Sequence, residues 1–154
     1  MRNLTIIFLF VVLTGCGFKV VERSNFDNFS ISKIITEGDK RINFNLKNKL
    51  SYASSENEKK LIQISLKTDK DKNVKERNIK NEITKYQIKI TVDVTCMEIS
   101  NGTKFTFSKT KSGDYSVSNQ YSQTLSNEKK LIELLTNKLA DQILEELTIK
   151  LNAL

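Results

Sequence analysis

Tyr86-Gln87-Ile88-Lys89-Ile90-Thr91-Val92-Asp93-Val94-Thr95-Cys96 alternates apolar and polar residues without a break. Successive strand side chains point to opposite faces, so this period puts Tyr86, Ile88, Ile90, Val92, Val94 and Cys96 on one side and polar residues on the other. One face is made to be buried and the other to be wet, as in an antiparallel sheet covered on a single side. Just downstream, Asn101-Gly102 is the dipeptide preferred in a two-residue type I′ hairpin. With that loop Ser100 pairs with Thr103, Cys96 comes opposite Phe107 and Glu98 opposite Phe105. The apolar face then continues into a further strand over roughly 103–118.

The pattern extends in both directions from this hairpin. Ile62, Ile64 and Leu66 alternate with polar residues and predict a strand over about 60–68. Between it and Tyr86, the stretch Asp69 to Asn81 is charged, with only Val74 and Ile79 apolar, and reads as a hairpin tip into which the strands could extend. Further upstream, Phe29, Ile31 and Ile34-Ile35 offer a first short strand ending near Thr36-Glu37-Gly38. Asp39 can cap a helix over 39–53, in which Ile42, Leu46, Leu50 and Ala53 recur at helical spacing. At the other end, Leu131, Ile132, Leu135, Leu139, Ile143, Leu147 and Leu151 predict a long amphipathic helix over about 124–151, with Ser126 or Asn127 as its cap. The order is β-α-β-β-β-α. A strand–helix–strand unit implies a right-handed parallel crossover, and two antiparallel hairpins follow. The expected fold class is α+β: a two-layer sandwich of one four-stranded mixed sheet with two helices on one face.

Composition narrows the chemistry. The 154 residues carry 25 basic and 18 acidic side chains, no histidine, no proline, no tryptophan and two cysteines. Without histidine there is no serine–histidine–acid triad, no cysteine–histidine pair and no histidine-ligated zinc. Two cysteines cannot build a four-cysteine metal site. Lysine dominates the basic residues, whereas arginine, the better match to planar phosphate recognition, is scarce. The formal charge of +7 is therefore weak evidence for an anionic partner.

The N-terminus points to a compartment. Arg2 precedes the apolar run Leu4 to Leu13, which is too short to span a bilayer as a helix and has the form of an export signal. The run ends in Leu13-Thr14-Gly15-Cys16, an aliphatic residue, two small residues and a cysteine. This matches the bacterial lipobox, in which the cysteine sulfur is acylated and the chain is cut before it. The expected organisation is a lipoprotein signal peptide at 1–15, a lipidated tether at 16–28 and a single α+β domain at 29–154. Cys16 is the expected lipidation site, with acyl chains such as palmitate as the membrane anchor. Gly17 stands where a retention aspartate would keep the protein at the inner membrane, which favours the outer membrane. Cys96 then has no partner within the chain, and its place on the apolar strand face marks it as a buried, inert thiol.

Other constellations fail. Asp69-Lys70-Asp71-Lys72-Asn73 opens like a calcium loop, but Val74 replaces the glycine and Lys80 the closing glutamate. Glu145-Glu146 are helix neighbours that face different directions and make no acid/base pair. No glycine-rich phosphate loop exists among five glycines. The sequence thus reads as a binding protein rather than an enzyme, with no cofactor, no metal and no nucleic-acid partner. Lysines crowd the hairpin tip, Lys85 and Lys89 continue on the outward face of the third strand, and Lys104, Lys109 and Lys111 line the fourth. Two readings stand here: contact with phosphorylated lipid, or the solvated face of any half-buried sheet, the latter being the commoner.

Leu13-Thr14-Gly15-Cys16-Gly17-Phe18, the length, the order of elements and the strand end Tyr115-Ser116-Val117-Ser118-Asn119-Gln120-Tyr121 before a long C-terminal helix resemble the LPS-assembly lipoproteins of the LptE family. The resemblance implies an outer-membrane lipoprotein that sits as a plug in the lumen of the β-barrel LptD. There it would assist barrel assembly and delivery of lipopolysaccharide to the cell surface. It also implies contact of basic residues on the sheet and its loops with lipopolysaccharide, for which Arg77, Lys80, Lys85 and Lys89 are the candidates. The alternative is a periplasmic lipoprotein that binds another envelope protein or a transporter and has no lipid-transport role.

Overall fold

The computed structural model describes residues 29–53 and 60–153. The signal peptide, Cys16 and the tether expected at 16–28 lie outside these residues. Six elements follow in the expected order: β1 (Ser30–Gly38), α1 (Lys40–Ala53), β2 (Leu61–Arg77), β3 (Ile83–Glu98), β4 (Lys104–Ser116) and α2 (Tyr121–Asn152). The sheet order is β1-β2-β3-β4. β1 pairs with β2 in parallel through α1, and the two hairpins that follow are antiparallel. This is the four-stranded mixed sheet with two helices that the hydrophobic periods predict.

The alternating residues of β2 and β3 form the floor of the core. Ile62, Ile64, Leu66, Ile88, Ile90, Val92, Val94 and Cys96 are buried against Ile42, Leu46 and Leu50 of α1 and Leu139, Ile143, Leu147 and Leu151 of α2. The helices run side by side in the same direction: Arg41 and Leu125 line one groove near their starts, and Lys49 meets Asp141 at 2.8 Å further along. Asp39 caps α1 as expected, its Oδ1 accepting from the backbone N–H groups of Arg41 at 3.0 Å and Ile42 at 3.1 Å. Gly38, at φ +103°, lets the turn from β1 into α1 pass against β2, where a Cβ would lie 2.0 Å from the carbonyl oxygen of Thr68.

Three local expectations are corrected. β2 does not end near residue 68 but runs to Arg77, because the charged stretch Asp69–Arg77 has a strong strand, β3, to pair with and no proline or glycine to break it. The hairpin turns at Asn78–Glu82, where Asn81 takes φ +64° and the Asn78 side-chain oxygen accepts from the N–H groups of Lys80 and Glu82, both at 2.9 Å. Asn101-Gly102 does not form a two-residue turn. Only Gly102 of the pair has positive φ, and the loop is four residues long, closed by the Glu98 N–H donating to the Thr103 carbonyl and the Gly102 N–H to the Glu98 carbonyl. The register shifts by two, so Cys96 faces Phe105 and Val94 faces Phe107. An even shift leaves every side chain on its predicted face. Finally, α2 begins at Tyr121, before the expected caps. The Thr124 hydroxyl accepts from the Ser118 N–H at 2.9 Å, and Asn127 donates to the Ser116 carbonyl instead of capping a helix.

Candidate functional site

Among the described residues, two surfaces are left without a covering element: the face of the sheet opposite the helices, and the turn of the β2–β3 hairpin. The outer face follows from the period of two. β3 supplies Lys85, Gln87, Lys89, Thr91, Asp93, Thr95 and Met97, and β4 supplies Lys104, Thr106, Ser108, Thr110 and Ser112. Register brings Ser65, Thr95 and Thr106 into one row and Thr91 beside Thr110, whose hydroxyls lie 3.1 Å apart. The centre of this face is thus a lawn of hydroxyls, a feature the sequence analysis missed although Thr106, Ser108, Thr110 and Ser112 recur at every second position.

The four basic candidates lie along one hairpin. Arg77 and Lys80 belong to the turn region. The Arg77 guanidinium donates to the Asn81 carbonyl at 2.8 Å, and Lys80 is exposed with no ammonium partner among the described residues. Lys85 and Lys89 are on the outer face of β3. Lys85 pairs with Glu76 at 2.6 Å. The hydrogen bond and the opposite charge hold the Lys85 ammonium above its ordinary pKa and the Glu76 carboxyl below its own. Lys89 stands in register with Asp71 on one side and Ser112 on the other. The structure therefore brings all four to one hairpin but neutralises Lys85, while Arg77, Lys80 and Lys89 form no ion pair among the described residues. Lys109 and Lys111 do not line the outer face. They register with Val92 and Ile90, on the helix side of β4, and Lys109 reaches Glu146 of α2 at 2.8 Å.

Where the hairpin leaves the core, Lys72 of β2 is held between aromatic rings. Its ammonium lies 4.6 Å from the Tyr86 ring centre, 5.5 Å from that of Tyr115 and 2.7 Å from Glu128 Oε2 of α2. The Tyr115 hydroxyl donates to the same carboxylate oxygen at 2.8 Å. Burial raises the pKa of Glu128, but the hydrogen bonds from Lys72 and Tyr115 and the charge of Lys72 outweigh it, and the carboxyl is held below its ordinary value. The cluster ties the hairpin to the first turns of α2. Sequence reasoning gave it no role because its four members are spread from 72 to 128.

Burial, with the Glu98 charge adding to it, pushes the Cys96 thiol up to about 12. A thiol so protonated is a core side chain and not a nucleophile. Among the described residues no group of three or more acidic or cysteine side chains gathers as a metal site, and no helix is long and apolar enough to cross a membrane.

The two-helix layer on one side of a β1-β2-β3-β4 sheet is a fold shared with solved structures of bacterial lipoproteins. The chain is similar in structure to a protein from Caulobacter crescentus classed as a lipoprotein, with a TM-score of 0.58 at 14% identity, over 85% of this chain and 95% of that one. Rare lipoprotein B from Shewanella oneidensis matches with a TM-score of 0.57 at 10% identity, over 77% of this chain and 95% of that one. An uncharacterised lipoprotein B from Nitrosomonas europaea matches with a TM-score of 0.53 at 12% identity, over 81% and 86% of the two chains. No family model and no curated protein matches the sequence.

Proposed function

We propose that this protein is a bacterial envelope lipoprotein, anchored through Cys16 in the outer membrane, that plugs an LptD-type β-barrel and assists its assembly and the delivery of lipopolysaccharide. The observation that carries this reading is the joint presence of a lipobox at Leu13–Cys16, in a chain whose opening and element order resemble the LptE family, and a fold shared with rare lipoprotein B. The physical chemistry is compatible with it. A hydroxyl-rich sheet face with short paired charges suits a hydrated barrel lumen, which is lined by polar side chains. The tip, with Arg77 and Lys80, would meet lipid A phosphates. A detergent pull-down of the full-length protein from its own membranes tests the reading: a stoichiometric large β-barrel is expected, and its absence overturns it.

Contact with lipopolysaccharide is tested separately. Charge reversal of Arg77 and Lys80 together should weaken lipopolysaccharide binding, and wild-type binding should fall as salt rises. Unchanged binding in the double variant removes these residues from the site. One observation favours the alternative, a lipoprotein that binds another envelope protein and has no lipid-transport role. The outer face balances its charges, Lys85 with Glu76 at 2.6 Å and Lys67 with Glu37 at 3.9 Å, so it suits a polar protein surface better than a polyanion. In that case the pull-down yields a different partner, and lipopolysaccharide binding is absent.

A further inference from the structure

The outer sheet face is polar nearly throughout, Ile35 aside, but its base is not. Leu61, Met97 and Ile99 are 44%, 36% and 45% exposed there. They form one patch: the Ile99 N–H donates to the Leu61 carbonyl at 2.9 Å, and Met97, two residues along the same face of β3, registers with Gln63. We propose that this patch is a foot that rests on the bilayer carrying the protein's lipid anchor, an inference that depends on lipidation at Cys16.

Position is the first argument for this occupant. Ser30 pairs with Leu61, so the chain arriving from Cys16 enters the fold beside the patch. The intervening segment, extended, reaches no more than roughly 45 Å. From Leu61, β2 runs parallel to β1 and carries the hairpin turn about 50 Å away from this end. The foot is thus at the anchored end and the basic tip at the far one. Charge is the second argument. Lys104 registers with Met97 and Lys33 with Gln63, which flanks the apolar residues with cations at the level where anionic headgroups would lie. Size is the third. Three partly exposed side chains offer far less than the roughly 800 Å² per partner of a stable protein interface. A contact too weak to hold a free protein on a membrane becomes populated when a tether keeps it at high effective concentration.

The chain has no tryptophan, so a single introduced indole reports on its own surroundings. The lipidated full-length protein is placed in vesicles of phosphatidylethanolamine and phosphatidylglycerol that contain brominated lipid. Emission of Met97→Trp should shift to shorter wavelength and be quenched. Thr110→Trp, on the same face but nearer the tip, should be neither. Adding Leu61→Ser and Ile99→Ser to Met97→Trp should abolish the quenching. An unquenched Met97→Trp, equal quenching at Thr110→Trp, or quenching that survives the two serine substitutions overturns the proposal. So does a Met97→Trp shift that occurs only with a co-purified barrel protein, which would assign the patch to protein contact. Mass spectrometry of the Cys16 peptide separates failure of the anchor from failure of the foot. If no acyl chain is found there, the anchor reading falls, and coupling Cys16 to a maleimide lipid supplies the tether on which the same comparison decides the foot.

Discussion

Gly38 and Gly113 show how one residue type can be indispensable at one place and convenient at another. A Cβ on Gly38 would lie 2.0 Å from a backbone oxygen, in a backbone conformation that other residues avoid. Gly38→Ala should therefore cost on the order of 2–4 kcal/mol in urea unfolding. At Gly113 the obstacle is the end of the Leu131 side chain, at 2.8 Å, which can turn aside. Gly113→Ala should cost about 1 kcal/mol or less. Glu128 carries a pH dependence. Its carboxyl is held below the ordinary 4.5, so the stability it contributes is full above that value and is lost as pH falls through the lower folded one. Glu128→Gln should flatten the acid side of the stability curve and cost about 1–2 kcal/mol at neutral pH, as charge-assisted hydrogen bonds to Lys72 and Tyr115 weaken. Urea titrations across the acid range check both. That Cys96 is inert was legible from its place in a strict alternation. The Lys72–Tyr86–Tyr115–Glu128 cluster was not, because nothing local relates these positions.

At the scale of elements, existence and type follow from periodicity, while ends follow from partners. β3 was unmistakable, and its helix-side face is buried as predicted from Ile88 to Cys96. The outer half of β2 is strand only because β3 and the Asn78–Glu82 turn hold it, an influence no window over Asp69–Arg77 contains. The Asn101-Gly102 signal located a turn correctly and its loop length wrongly, since Glu98 already closes the ladder with Thr103. α2 offers a direct test of face assignment. Leu139→Ala, at a fully buried position, should lower stability by about 2–4 kcal/mol. Leu134→Ala, half-exposed on the same helix, should change it by about 0.5 kcal/mol or less. Equal effects would mean that α2 is rotated about its axis.

For the whole molecule, part of the positive charge is structural. Lys49, Lys70, Lys72, Lys85 and Lys109 each lie within 2.8 Å of a carboxylate oxygen, and three of these pairs fasten a strand to a helix or its cap. Among the described residues, basic side chains that form no ion pair are spread over the helices, as Lys47, Lys130 and Lys138 are, as well as over the sheet and its turn, as Lys80, Lys89 and Lys104 are. Membrane attachment should depend on one atom, the sulfur of Cys16. Cys16→Ala should release the protein into the soluble periplasmic fraction. If that variant still sediments with membranes, a protein partner is the stronger tether.

Order of elements, the buried face of each strand and the absence of histidine chemistry were determined by sequence alone, because each depends on residue type and spacing along the chain. The lipobox reading has the same origin. Which lysines are paired, how far β2 reaches, how the hydroxyls of three strands gather into one surface and where an apolar corner meets the start of β1 were decided only by tertiary structure. The physical reason is that pairing across strands sets these neighbours, and cross-strand register is a property of several segments at once.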